Sequence, residues 1–483
     1  MVIYMNKSIW NDYSKKNIKY NNKLDDKCKC DVLIIGGGIT GLTTAYFLKD
    51  MNEKIILIDK NEIGSEITNR TTAKISYLQG TIYQTLMNYF GKSKAYEYYN
   101  SQIDGINLIR KIVNDNKIDC DFKKCDSVLF TLCDNGVKKI DKEYDLLSEF
   151  GAKVNFIKHK KIKKGIKVSD TYTFNPLKYL YKLSEIVSKK IEIYENVMAN
   201  DIDFVDNRYV VHTNNGDIIS KRIVVVCHYP FFLIPGMFPI KTYIKREYVN
   251  ASKVDDGKDY TAINIDKDLH SIRFYNDYLI YGSNQHRLTN KIDYADNYMI
   301  SKENFKKYFG LDSEYTWSNH DIVSNDKLPF IGEVKKNLYV SLGYNAWGMS
   351  NGTIGAKIIS DLIINDDSKY KNLFNPKRIN LIMIGNSLIG SFHYLKGYVE
   401  GLFKKNNPEY VKIDKMWYGI YTDKEKKKHI VKLICPHMKC PLVFNIFDLT
   451  WDCPCHGSRF DIDGNVITGP SSKSICKCDN EKS

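Results

Sequence analysis

A short apolar run, Asp31–Gly36 (DVLIIG), passes straight into Gly37 and Gly38 and then into ITGLTTAYFLKD, where Ile39, Leu42, Ala45 and Tyr46 recur at helical spacing. A second apolar run, Lys54–Asp59 (KIILID), follows and ends in an acid. Unbroken apolar runs of this length predict parallel strands buried on both faces. The glycines Gly36, Gly38 and Gly41 stand as G-x-G-x-x-G between strand and helix, with Asp59 18 residues beyond Gly41. In that setting the pattern is a dinucleotide-binding fingerprint. Gly36 permits the tight turn, Gly38 lets the backbone approach a pyrophosphate, and Gly41 lets helix and strand close together. The helix start, with Ile39 and Thr40, presents unpaired N–H groups to phosphate, and Asp59 accepts hydrogen bonds from a ribose.

The fingerprint does not separate FAD from NAD. Later segments bear on that choice: Arg70–Lys74 (RTTAK), the buried strand Arg222–Pro230 (RIVVVCHYP), and Asp326–Gly332 (DKLPFIG) ahead of a strand at Leu338–Leu342. Gly343–Gly352 (GYNAWGMSNG) then leads into an apolar helix, Thr353–Ile364. With these segments the first ~370 residues resemble the FAD-dependent oxidoreductases of the D-amino acid oxidase/glycine oxidase type. The resemblance implies that the fingerprint holds the ADP half of FAD and that the late glycine segment closes over the isoalloxazine. Its FAD-binding residues would be Gly36, Gly38, Ile39, Thr40, Gly41, Asp59 and Lys60, then Arg70, Thr71, Thr72, Ala73 and Val197, and finally Gly343, Trp347, Gly348 and Met349. FAD-binding parts are expected at about 28–115, 170–235 and 316–370, with a β-rich substrate subdomain at about 236–315.

Half of the 12 cysteines lie in the last 49 residues. Cys435-Pro436-His437 and Cys453-Pro454-Cys455-His456 are separated by 15 residues. Two Cys and two His in C-x-H…C-x-x-H order suit a [2Fe–2S] centre with two imidazoles on one iron, and zinc is the chemical rival. The stretch CPHMKC…WDCPCHGSRFD…GP resembles a Rieske domain. That resemblance implies Cys435, His437, Cys453 and His456 as iron ligands and Cys440–Cys455 as a disulfide clamping the two loops. Ser458 would lie near a cluster sulfur and Gly469-Pro470 would form a rigid flap. Phe460 stands where the high-potential respiratory members carry a tyrosine that hydrogen-bonds a ligand sulfur, so a lower potential is expected. Protein-film voltammetry checks this, and a potential equal to that of the respiratory members refutes it. Lys439 stands where many members have glycine. The CKC pairs Cys28/Cys30 and Cys476/Cys478 read as ordinary thiols on mobile ends, and Cys120, Cys125, Cys133 and Cys227 as core or surface residues.

At 483 residues the chain is long enough for about three units of ~150 residues. The expected fold class is a multidomain α/β (α+β) chain: a Rossmann-like FAD-binding domain with a β-rich substrate subdomain (1–375), a partly helical linker (376–410), and a small all-β Rieske domain (411–483). With 43% hydrophobic residues the chain is core-forming and not disordered. The net charge of +14 is diffuse; its densest runs, Lys158–Lys167 and Lys424–Lys428, lack aromatic interleaving, so nucleic acid is not an expected partner. No apolar run approaches the ~20 residues of a membrane span. The N-terminus lacks the apolar stretch of a signal peptide, and the expected compartment is the cytoplasm.

Flavin and Rieske centre together imply oxidation of a small amine or amino acid by hydride transfer, with single electrons leaving through the cluster to an acceptor protein or quinone. The alternatives are an electron-transfer reductase or a redox sensor served by a protein partner. Arg246, Arg273 and Arg287, with His286, lie in the expected substrate region, where an Arg would clamp a carboxylate.

Overall fold

The computed structural model describes residues 4–5, 7–24, 28–231, 235–288, 294–386, 409–413, 416–455 and 457–475. The apolar runs pair as the interior of an eight-stranded sheet. Its centre is parallel, in the order Leu338–Leu342, Gly216–Val225, Cys28–Ile35, Ile55–Ile58, Glu192–Tyr194. Val32–Ile35 run in register with Ile55–Ile58, so the two apolar runs meet side by side. Successive residues of a strand face opposite ways. Val32 and Ile34 therefore join the helices Ile39–Leu48 and Gly348–Asn365 in one core, while Leu33 and Ile35 join Val225 and Val340 in another. Each such side chain, fully buried, contributes roughly 1.5–3 kcal/mol.

Cys28 and Cys30 are part of this central strand, buried with 6% and 5% exposure, and burial pushes the Cys30 thiol up to about 12. They are core residues, which corrects the expectation of thiols on a mobile end. Cys476 and Cys478 lie outside the described residues.

A second, ten-stranded sheet is built around the long antiparallel strands Thr242–Lys253, Tyr278–Arg287 and Tyr315–Ser324. It also recruits Lys123–Thr131 and Lys164–Thr173, the first pairing in parallel with Tyr260–Asn264. The β-rich unit is thus wider than 236–315. That parallel pairing joins segments more than a hundred residues apart and leaves no local signature in the sequence.

The C-terminal unit is all β. A three-stranded sheet (Glu409–Ile413, Met416–Thr422, Lys428–Lys432) faces a four-stranded one (Val443–Asn445, Thr450–Asp452, Arg459–Phe460, Val466–Thr468). Trp451 is fully buried between them and lies so close to Gly419 that a Cβ there would sit 2.1 Å from the indole. Residues 381–386 are helical, and most of the expected linker, 387–408, lies outside the described residues.

Candidate functional site

A cleft opens at the carboxyl ends of the parallel strands, where α/β sheets bind ligands. Gly36, Gly38, Ile39, Thr40, Asp59 and Lys60 line it, together with Thr71, Gly348 and Met349. Gly36 has φ +116°, and a Cβ there would lie 2.7 Å from the Val226 carbonyl oxygen. Gly41 does not line the cleft; a Cβ on it would lie 1.8 Å from the Gly36 oxygen, so its role is to let the helix seat against the turn. The helix begins at Ile39 after Gly38, which brings no capping side chain, and the Ile39 amide donates to the hydroxyl of Thr68, itself a residue of the cleft wall, at 3.3 Å. Asp59 accepts from the Gly37 amide at 2.7 Å and the Asn61 amide at 2.9 Å. Burial outweighs those bonds and pushes its carboxyl up to about 6. This arrangement of close backbone, helix start and acid fits the ADP half of FAD.

Arg70–Lys74 forms a strap whose carbonyl groups are held one by one. The Trp317 indole donates to the Arg70 oxygen at 2.9 Å and the Trp10 indole to the Thr71 oxygen at 2.8 Å. Arg273 donates to the oxygens of Thr72 and Ala73, and to that of Phe174 at 2.7 Å. Arg273 is 1% exposed, its guanidinium lies 4.8 Å over the Trp10 ring, and burial brings its pKa down to about 10. It is a positioning residue for the strap and not a carboxylate clamp. Thr72 and Trp347 line a smaller chamber beside the cleft, with Lys74, Glu247 and Ser271. Ala73 (φ +51°) and Gly343 (φ +79°) shape their turns. Val197 backs the cleft through its amide bond to the Asp59 oxygen, while Met198 and Ala199 line it.

The remaining wall comes from the far end of the chain. Val466, Thr468, Gly469, Pro470, Ser471 and Ser472 face the same cleft as Gly36 and Asp59. Lys60 Nζ donates to the Ile467 oxygen, and the Thr468 hydroxyl to Glu66 Oε2 at 3.4 Å. The sequence marks Gly469-Pro470 as a rigid flap, and nothing local in it says which neighbouring domain the flap covers.

In the C-terminal unit Cys435 and Cys453 are each 1% exposed. Their side chains hydrogen-bond; this contact, the His437 and Met438 amides and the Ser458 hydroxyl bring Cys435 down to about 7 against the effect of burial. His437 is half-buried and its pKa is lowered by burial, which favours the neutral imidazole that ligates metal. Cys440 and Cys455 are joined as a disulfide. Although the sulfurs of Cys440, Cys453 and Cys455 lie within 4.8 Å of one another, the disulfide leaves Cys453 as the member able to bind metal. His456 lies outside the described residues. Two buried thiols and a neutral imidazole two residues from the first of them supply three of the four donors of a Cys2His2 iron–sulfur centre, both thiolates for one iron and the imidazole for the other. Lys439 adopts φ +59°, the left-handed conformation glycine takes freely, so the loop keeps its shape despite the lysine. Phe460 is fully buried and brings no hydroxyl to this site.

The two units meet through a buried ionic network. Arg246 Nη2 bonds Asp452 Oδ2 at 2.7 Å with side-chain exposures of 0% and 1%. Arg459 joins Asp452 at 3.2 Å and also pairs with Asp448, which accepts from the Tyr298 hydroxyl at 2.9 Å. Burial alone would raise Asp452, but Arg459 and Arg246 hold its carboxyl below the ordinary value. Arg246 Nε donates to His320 Nε2 at 2.6 Å, and burial keeps that histidine neutral and able to accept. Tyr229, Ile244, Leu288 and Ile322 pack with Val443 across the same seam. Gly457, four residues past Cys453, sits where a Cβ would lie 2.7 Å from Ile244. Arg246 is therefore spent on the domain interface rather than on a substrate. His286 is 8% exposed, stacks on Tyr248 at 5.7 Å, and its Nδ1 lies 3.0 Å from the Asn284 oxygen.

Fold and site together define a flavin oxidoreductase carrying a fused iron–sulfur domain. Residues 31–362 match the family model "FAD dependent oxidoreductase" and residues 395–478 match "Rieske [2Fe-2S] domain". The chain belongs to the FAD-dependent oxidoreductase family, with FAD and a Rieske [2Fe–2S] cluster as its cofactors. Over 482 residues it is 32% identical to YhfW of Bacillus subtilis (strain 168), whose name describes a Rieske 2Fe-2S iron-sulfur protein; 94% of each chain is covered. It is 18% identical over 376 residues to gamma-glutamylputrescine oxidoreductase of Escherichia coli (strain K12), covering 73% of this chain and 88% of that one. The fold is also that of glycine oxidase from Geobacillus kaustophilus, with a TM-score of 0.63, 13% identity, and coverage of 73% of this chain and 100% of the other. Among the described residues no helix is long and apolar enough to cross a membrane.

Proposed function

We propose that the protein oxidises a small amine or amino acid at the carbon next to nitrogen and sends the electrons out singly through its own Rieske domain. When bound, FAD supplies a two-electron hydride acceptor and the [2Fe–2S] cluster a one-electron carrier. The chain's residues do the rest. Gly36, Gly38 and the helix start at Ile39 and Thr40 hold the pyrophosphate, and Asp59 the ribose. The strap Arg70–Ala73 and the turn Trp347–Met349 hold and close over the ring. Lys74, Glu247 and Ser271 line the chamber where the substrate would lie. Cys435, His437, Cys453 and His456 hold the cluster. The carrying observation is that Val466–Ser472 of the C-terminal unit walls the flavin cleft while Arg246–Asp452 fixes that unit in place. A cluster domain docked this way serves its own flavin.

Anaerobic titration with a panel of amines and amino acids tests the reading. The expected result is flavin bleaching by one compound class, followed by the electron paramagnetic resonance signal of the reduced cluster. Bleaching only by a reduced protein partner would establish the reductase alternative instead, and flavin reduction that never reaches the cluster would overturn the electron path.

A further inference from the structure

The chamber beside the flavin cleft continues outward. It shares Thr71, Ala346, Gly348 and Met349 with the cleft on one side, and Leu269 and Gln285 with a larger cavity of about 770 Å³ on the other. Strand register places Lys245 opposite Arg287, and Tyr243 two residues before Lys245 on the same face. Lys327 reaches in from the turn after the Tyr315–Ser324 strand. These four residues form one unit. The Arg287 guanidinium lies 4.1 Å over the Tyr243 ring, and Lys327 Nζ donates to the Tyr243 hydroxyl at 2.9 Å. Lys245 Nζ donates to Gln285 Oε1 at 3.0 Å, where the two cavities join.

Three half-buried cations thus converge on one tyrosine, and among the described residues none of them makes an ion pair within 4.0 Å. Burial would raise the Tyr243 phenol, yet Lys327, Lys245 and Arg287 together bring it below its ordinary value. The acids nearby do not balance them. Asp321 stands opposite Lys245 in strand register, yet burial raises both it and Glu247, neither makes an ion pair with the three cations, and Asp268 shares the cavity wall with Lys267. Half-buried like charges without a counter-ion are costly to hold together, and a bound anion removes that cost.

We propose that this outer cavity recognises an anionic group, carboxylate or phosphate, carried at the far end of the amine substrate. Its inner end leads to the flavin, so a molecule anchored by its anion at Arg287, Lys327 and Lys245 would extend its amino group past Gln285 into the Lys74–Glu247 chamber. The substrate class is then an ω-amino acid or an ω-aminoalkyl phosphate rather than a simple alkylamine. This rests on the amine-oxidation reading above, and its test is chosen so that each can fail alone.

The first measurement is calorimetric binding of glutarate and of inorganic phosphate to the full-length, cofactor-loaded protein, with pentane-1,5-diol as the neutral probe. Glutarate or phosphate should bind at least about tenfold tighter than the diol, and each of Arg287→Gln and Lys327→Gln should weaken that binding about tenfold, as expected for one charge-assisted hydrogen bond. Lys335→Gln, an exposed lysine elsewhere, should leave it unchanged. The second measurement is anaerobic flavin reduction by 4-aminobutyrate, 2-aminoethyl phosphate and n-butylamine. One of the two anionic amines should show an apparent Kd about tenfold below that of n-butylamine, which identifies the anion, and Arg287→Gln should bring the ratio to within about twofold. Anion binding no tighter than the diol, indifferent to both variants, overturns the proposal. So does equal reduction by anionic and neutral amines. Anion binding that meets the expectation while no amine reduces the flavin leaves the site standing and overturns the oxidation reading.

Discussion

The two cofactor sites are built on opposite plans. The cluster site takes its described residues from Cys435 to Ser458, two loops of one small unit held by a disulfide. The flavin cleft draws on residues from Gly36 to Ser472, spread over both large sheets and the C-terminal unit. A site made of neighbours in sequence depends on local turns, whereas a site made of distant segments depends on every interface that brings them together. Substitutions at the seam should therefore disturb the flavin cleft most, while substitutions in the cluster loops should act locally.

Arg246→Leu strips Asp452 of a buried partner and should cost about 3–5 kcal/mol, because an uncompensated buried charge remains. Denaturant unfolding checks the cost. Loss of flavin absorbance after desalting, with the cluster spectrum retained, would sharpen the contrast; loss of the cluster with flavin retained would break it. Cys440→Ser opens the loop clamp, whose sequence separation is 15. It should cost about 3 kcal/mol of stability in the C-terminal unit, and flavin content after desalting should stay at the native level. Gly41→Ala places a methyl group against the Gly36 oxygen and should cost about 1–3 kcal/mol through overpacking. Flavin retention after desalting should fall while the iron content stays at two per chain. Lys439→Gly relieves a left-handed lysine and should stabilise the C-terminal unit by about 1 kcal/mol, seen as a raised Tm with an unchanged flavin spectrum.

The smallest effect concerns His429, whose ring nitrogens lie 3.0 Å from Asp463 and 3.1 Å from Asp423. Burial pulls its pKa down, but the two carboxylates outweigh it and the pKa is raised above 6.5. A raised folded-state pKa gives stability that is complete below 6.5 and fades as pH climbs through the folded value. His429→Asn should flatten the pH dependence of unfolding above pH 6.5 and leave it unchanged well below; a native-like slope in the variant would contradict this.

The parts legible in sequence are those whose constraint is local. Gly36 is demanded by its φ of +116° and Gly41 by its approach to the Gly36 oxygen in the same turn, and the apolar runs at Asp31–Gly36 and Lys54–Asp59 could hardly be anything but buried strands. The Cys and His spacing likewise sits within two short loops. Arg246 and Arg273 stand in the sequence only as candidate clamps in the substrate region, because a buried arginine advertises only its need for acceptors. Whether those are a carboxylate across a seam, the carbonyls of a strap or a ligand is set by what the fold brings near. Tyr243 and Lys245 carry no motif, Lys327 belongs to a segment read for another reason, and the three become a unit only through register and a turn.

Sequence alone determined the parallel nucleotide-binding sheet and the paired Cys and His donors, since each follows from the period, spacing or conformational freedom of residues close together in the chain, and the resemblance those motifs carry implied FAD and the cluster. Tertiary structure alone decided that the C-terminal unit walls the flavin cleft, that Arg246 belongs to the seam, and that three cations converge beyond the inner chamber. Those depend on long-range packing and charge pairing, which depend on distances in space and leave no trace in the order of residues.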